Sequence, residues 1–265
     1  MTDTDAGRAA RRLSDHPWLE RLARVGYAGS GLVHLVIGWI ALQVALGGSS
    51  ENADQGGALE VLREGPLGAA LLWFCVVGLA ALALFQLLEG IVEGGEPSDR
   101  AKALGRSALY GAFGVTAFTV ARGGSGDSEE STSEITATLM SAPAGQLLVA
   151  AVGLGVVAGG GYHLYKGLTR KFTEDLVSTG GGDLGRGVEV AGMVGYAAKG
   201  VALLIVGGLF VLAAWQRDPE EAGGLDTALR SLADTASGTV LLVVVALGLV
   251  LYGVYSFARA RFARL

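Results

Sequence analysis

The sequence predicts an all-α, polytopic membrane protein whose six transmembrane helices form three parallel two-helix repeats around a pseudo-threefold axis. Three observations lead there: composition, the number of long apolar segments, and their periodicity. Of the 265 residues, 51% are hydrophobic and 17% charged, glycine supplies 43, and the mean hydropathy is +0.47. An ordinary soluble domain carries ~25% charged residues and ~7% glycine. A net charge of -5 with no basic domain removes nucleic acid from the expected partners. A single cysteine, Cys75, removes a disulfide framework and a cysteine metal cluster.

A hydrocarbon core of ~30 Å takes roughly 20 apolar residues at 1.5 Å rise each. Six segments meet that length, at approximately 25–47, 67–92, 103–121, 144–167, 194–215 and 238–258. They divide the chain into a basic leader (1–24), repeat 1 (25–92), a linker (93–102), repeat 2 (103–167), a second linker (168–193), repeat 3 (194–258) and a basic tail (259–265). The first apolar stretch outruns the ~7–15 residues of a signal-peptide core, so it is expected to stay in the chain as a span. Flanking charge orients the set. Three connections hold Arg63, Arg122, Arg217 and Arg230, and the other sixteen of the twenty basic residues lie on the side of the two termini. The positive-inside rule makes that side cytoplasmic. The leader, with Leu13, Trp18, Leu19 and Leu22 among arginines and Pro17 interrupting it, suits an anionic inner leaflet.

Odd-numbered spans align without gaps as SGLVHLVIG from Ser30, RSALYGAFG from Arg106 and KGVALLIVG from Lys199. Even-numbered spans align independently through Gly68, Gly145 and Gly238, and again through Gly78, Gly155 and Gly248. The spacing is nearly the same in both sets, which marks three tandem units of helix, outer connection and helix. Each connection also carries an apolar pair at one register: Leu59 and Leu62, Thr136 and Leu139, Leu229 and Leu232. Ala58 to Glu64 and Leu225 to Asp234 read as short amphipathic helices, while Gly123 to Glu134 reads as a flexible loop.

The stretches HPWLERLARVGYAGSGLVHLVIG from His16, VGYAAKGVALLIVGG from Val194 and GLVLYGVYSFARARF from Gly248 resemble the family known as domain of unknown function 1206. That resemblance covers nearly the whole chain after residue 15. It implies a bacterial integral membrane protein of three two-helix repeats and no reaction; with the charge asymmetry, the expected location is the inner (plasma) membrane with both termini cytoplasmic. The second unit departs most, with Lys102 and Ala103 where the others have Gly26-Tyr27 and Gly195-Tyr196.

Residues four apart share a helical face. On the first span these are Ser30, His34, Gly38 and Leu42, with Arg106, Tyr110, Gly114, Phe118 and Lys199, Leu203, Gly207, Val211 equivalent. Even spans present Gly78, Leu82, Gln86, Glu89, then Gly155, Gly159, His163, Lys166, then Gly248, Tyr252, Ser256, Arg259. The candidate axial polar cavity is Ser30, His34, Gln86, Tyr110, His163 and Ser256, closed at its outer end by Leu42, Phe118 and Val211. Glu89, Arg106, Lys166, Lys199 and Arg259 form a candidate charge gate at the cytoplasmic interface, with Glu89 pairing Lys166, Arg106 or Lys199. Small residues let helices approach in lipid, and that packing is the alternative use of these stripes.

Two histidines in spans raise the question of haem, but their unequal depth predicts hydrogen bonds, so no cofactor and no metal is expected. Trp215 suits interfacial anchoring, whereas Trp39 and Trp73 pack or face lipid. There is no GxSxG, Walker loop or HExxH, and no catalytic residue is assigned. The expectation is a non-enzymatic packed scaffold or interaction module, with membrane lipids and an unidentified membrane protein as partners. The alternative is a small-solute transporter, channel or lipid-binding protein with its pathway along the axis.

Overall fold

A computed structural model describes residues 17–48, 52–65, 67–92, 97–126, 128–222, 224–233 and 237–264. The leader before Pro17 and the side chains of residues 17–19 lie outside that set, and with them the leader's expected seat on a leaflet. Among the described residues the chain forms α1 (Pro17–Ala45), α2 (Gln55–Glu64), α3 (Gly68–Val92), α4 (Pro97–Ala121), α5 (Ser128–Ser141), α6 (Gly145–Leu168), α7 (Gly182–Gln216), α8 (Leu225–Ala233) and α9 (Gly238–Phe262). Short 3-10 turns cover Lys171–Asp175 and Pro219–Glu221. The protein is all-helical.

Five helices, α1, α3, α6, α7 and α9, are long and apolar enough to cross a membrane. The helix over the third expected span, α4, falls short of that hydropathy because Arg100, Lys102 and Arg106 crowd its first half and Thr116 and Thr119 dilute its second. Several helices outrun the expected spans. Pro17, the residue expected to interrupt the leader, is the first described residue of α1, and Pro97 starts α4, since the first helical position has no hydrogen bond to lose. α7 begins twelve residues before Val194, inside the expected linker, because Val188, Ala191 and Gly192 bury one face of that extra length. The expected loop at Gly123 to Glu134 is corrected too: Ser128–Ser141 is helical, and Gly126 N–H donates to Glu60 Oε1 at 2.7 Å, which pins the connection to α2.

The six long helices follow one another as neighbours in the order α4, α3, α1, α9, α7, α6. α4 and α6, at the ends of this row, do not pack along each other. Closest approach is made by glycine. A Cβ on Gly153, Gly160 or Gly167 of α6 would lie 2.9, 2.8 or 2.9 Å from α7 atoms, and the spacing of seven keeps all three on one seam. Gly38 of α1 meets Val250 and Ala246 of α9 in the same way.

Ile37 and Ile40 of α1, Leu72 and Leu79 of α3, and Leu242 and Leu249 of α9 are buried in one core. At the connection end α2 and α8 cap that core with Leu59, Leu62, Leu229 and Leu232, all buried. Asp226 ties the two caps together by accepting from Ala53 N–H at 2.7 Å and from Arg230 Nε at 2.6 Å. Among the described residues, no side chain of α5 or α6 enters this core. Phe118 does not close it: that ring points outward, 43% exposed and edge-on to Trp73 at 6.0 Å. α4 has one long neighbour, α3, so its other flank has nothing to hold an aromatic inward.

Candidate functional site

Charged and aromatic side chains collect in the half of the bundle that carries the chain ends. His34 Nδ1 lies 2.7 Å from the carbonyl oxygen of Ser30. A carbonyl only accepts, so Nδ1 carries the proton, and Nε2 is left to accept from the Lys199 ammonium at 3.3 Å. The Tyr252 ring completes this group, 4.3 Å beneath Lys199 Nζ and 4.7 Å from the His34 ring. Gly195, one turn before Lys199, makes the approach possible, since a Cβ there would sit 2.6 Å from the Tyr252 backbone.

A run of rings continues from Tyr252 to Tyr196 at 5.3 Å and from Tyr196 to His163 at 5.6 Å. Phe172, from the turn after α6, is fully buried and stacks on the other side of Tyr196 at 5.6 Å and 13°. Tyr255 donates to the Phe172 carbonyl at 3.2 Å. Gly192 leaves the room for this ring, because any Cβ there would collide with it. The segment then zips to the end of α9: Val177 N–H donates to Phe262 O at 2.8 Å, and Leu176 bridges Ala263.

Asp175, three residues beyond Phe172, receives Lys166 Nζ at 2.6 Å and lies 3.7 Å from Arg259. Arg259 also covers the Tyr27 ring at 4.3 Å, and its Nε is enclosed without a hydrogen-bond partner among the described residues. His163 Nδ1 donates to Gly159 O at 2.8 Å, by the same logic as His34, so its Nε2 is an acceptor. Lys166, Lys199 and Arg259 all act electrostatically on His163 and on Tyr252. Three cations therefore share a small volume with one carboxylate.

The structure distributes the expected site residues unevenly. His34, His163, Lys166, Lys199 and Arg259 come together. Tyr110 is half-buried within electrostatic reach of Arg259, Tyr27 and Tyr252. Gln86 is buried, and its Oε1 has no partner among the described residues. Ser30 contributes its carbonyl to this site. Ser256 is buried, but its hydroxyl donates to Tyr252 O at 2.8 Å, one turn back on its own helix. Glu89 lies 3.9 Å from Arg106, one of its three expected partners, whereas Lys166 takes Asp175 and Lys199 takes His34. Asp175 and Phe172 belonged to no expected site; an aromatic inside the polar run KFTED was their one local signal. Tyr27 and Tyr196 share a register in repeats 1 and 3, which the repeat alignment exposes directly.

Cys75 is a buried free thiol, and among the described residues no three His, Cys, Asp or Glu gather as metal ligands. Trp39, Trp73 and Trp215 are all exposed.

One feature separates the three repeats. A Cβ on Gly78 would press within 2.9 Å of Gly26 on the odd helix of repeat 1, and one on Gly248 would collide with Ala198 on that of repeat 3. The equivalent Gly155 of repeat 2 has nothing within 4 Å.

Helices of this length and apolarity, in a tandem three-unit chain, define a multi-pass membrane protein. The chain belongs to the family Domain of Unknown Function (DUF1206), whose model matches residues 25–93, 101–170 and 194–263. It is similar to the uncharacterized protein YxxB of Bacillus subtilis (strain 168), 28% identical over 253 residues that cover 92% of this chain and 90% of that one. No solved structure matches it.

Proposed function

We propose that the chain is a six-span protein of a bacterial inner membrane, both termini cytoplasmic, whose three parallel repeats stand around a pseudo-threefold axis, and that it binds a membrane lipid through one open side. On this reading it is not an enzyme. The neighbour order supports a ring: α1 meets α9, α4 meets α3 and α7 meets α6, each contact joining successive repeats. Within repeats the two helices touch in repeats 1 and 3, and the ring is broken at repeat 2, between α4 and α6.

The observation that carries the reading is Gly155, whose equivalents are pressed against a helix and which faces none. Gly159, one turn on, also has nothing within 4 Å and leads toward His163 and the polar half. An open small-residue face running from the apolar to the charged half suits an acyl chain with its headgroup. Lipid retained by the purified protein, read by native mass spectrometry, tests this. Gly155→Trp covers this face and is expected to abolish retention, while Leu154→Trp, on an exposed position beside it, leaves retention unchanged. Equal retention by both variants overturns the reading.

A packed scaffold, the second reading, is favoured by the α6–α7 glycine seam. It makes the open side the seat of a partner's helix, and then Gly155→Trp blocks co-purification of that partner without changing retained lipid.

A further inference from the structure

We propose that Lys199, Arg259 and Lys166 hold an oxyanion of the phosphate class, in the charged half of the bundle beside Tyr252 and Tyr196. The source of the phosphate rests on the lipid reading above, and the cation cluster itself does not.

These cations are under-compensated. Lys199 has for company a neutral imidazole at 3.3 Å and Tyr252, which meets it with its ring at 4.3 Å and with its hydroxyl, and no carboxylate lies within ion-pair distance of it among the described residues. Lys166 and Arg259 divide the single Asp175 between them, at 2.6 and 3.7 Å. Their side chains are 14% and 17% exposed, so water screens them poorly. Arg259 Nε is wholly enclosed and donates to nothing among the described residues, although a buried guanidinium N–H normally finds an acceptor. Charge enclosed without compensation is costly in a membrane-spanning bundle, and such residues gather around a counter-ion or ligand.

The donor set also says which anion. One guanidinium and two ammonium groups supply several charged donors around the Tyr196 and Tyr252 rings. A phosphate, free or as a diester headgroup, offers two or more acceptor oxygens and at least one full negative charge, which answers the excess of cations over the one carboxylate, Asp175, that pairs with them among the described residues. Basic pockets between membrane helices recognise anionic headgroups by this chemistry.

Purified full-length protein is incubated with vesicles of phosphatidylglycerol and phosphatidylcholine in equal amounts, and bound lipid is read by native mass spectrometry. Binding of inorganic phosphate is measured in parallel by calorimetry. Expected is selective retention of phosphatidylglycerol, weakened about tenfold or more in Lys199→Gln and in Arg259→Gln, the loss of one charge-assisted bond each. Lys199→Arg keeps the charge and retains binding, which separates a lost ligand contact from a lost fold. Binding of inorganic phosphate with the same sensitivity, but no lipid preference, supports the anion site and sinks the lipid reading. Equal retention of the two lipids together with no phosphate binding overturns the proposal, as does binding that survives both glutamine variants.

Discussion

Repeat 2 differs from repeats 1 and 3 in two places that trace to one cause. In repeats 1 and 3 a glycine on the odd helix, Gly26 or Gly195, lets the even helix come to van der Waals contact, and the following tyrosine enters the aromatic site. Repeat 2 has Lys102 and Ala103 there. A lysine ammonium hydrogen-bonded to Asp99 at 2.8 Å and largely exposed stands where the other repeats have their close-contact glycine. Its pKa is raised by that hydrogen bond and the aspartate charge, so it stays charged well above neutral pH. The connecting helices diverge in step. Leu62 and Leu232 are buried under the caps, while the equivalent Leu139 is 37% exposed because α5 rests on α6 and not on the core. One substituted turn thus converts a closed contact into an opening while the rest of the unit keeps its form.

The largest way to break the contrast is to release α6 and α7 from α9. Phe172→Ala empties the clasp between Gly192 and Tyr196, and a cost of about 3 kcal/mol is expected from the lost aromatic and its cavity. Thermal unfolding in one detergent measures it, and an unchanged Tm would show that the ring contributes nothing to the clasp. Next comes the glycine triple. Gly78→Leu and Gly248→Leu should each cost about 2 kcal/mol through overpacking, whereas Gly155→Leu stays within about 0.5 kcal/mol. Equal losses at all three positions would mean that repeat 2 is closed like the others.

Asp226→Ala addresses the caps. Removing the acceptor shared by Ala53 N–H and Arg230 is expected to cost about 1.5 kcal/mol and to raise amide exchange in α2 and α8, but not in α5. Uniform exchange across the three connections would erase the distinction between them. The smallest effect on stability, and the sharpest on shape, belongs to Lys102→Gly. It restores the glycine of the other repeats and should shorten the α4–α6 distance, read by paired spin labels, while Tm moves little. An unaltered distance would shift the cause away from Lys102.

The apolar lengths of α1, α3, α6, α7 and α9 were legible because a span needs nothing but a run of apolar residues. α5 was not, because SEESTSEITATLMS has no apolar stripe, and its buried contact is made by Thr136. The early start of α7 was hidden by its glycines, which look like linker until Phe172 fills the space beside Gly192. Stripe positions located His34, His163, Lys166, Lys199 and Arg259, since helical period alone sets a face. Their partners were not readable: Asp175 reaches Arg259 across 84 residues of chain, and no local pattern encodes such a meeting. Phe118 failed for a related reason, as repeat equivalence assumes equivalent neighbours and α4 lacks one.

The neighbour order carries a topological consequence. The first turns of α1 and the last turn of α9 lie together, with Arg24 donating to the Arg261 carbonyl at 2.7 Å, and the break in the row falls where α4 hands on through α5 to α6. Written from that break, the helices run α6, α7, α9, α1, α3, α4, and every long helix packs on the one beside it. The molecule is therefore a permuted ribbon: ends fused and backbone cut near Gly126, it would keep each long-helix contact while trading its most distant pairing, first helix against last, for one between adjacent elements. In a chain made from its N-terminal side, α1 therefore waits for this neighbour until α9 has followed the other five long helices.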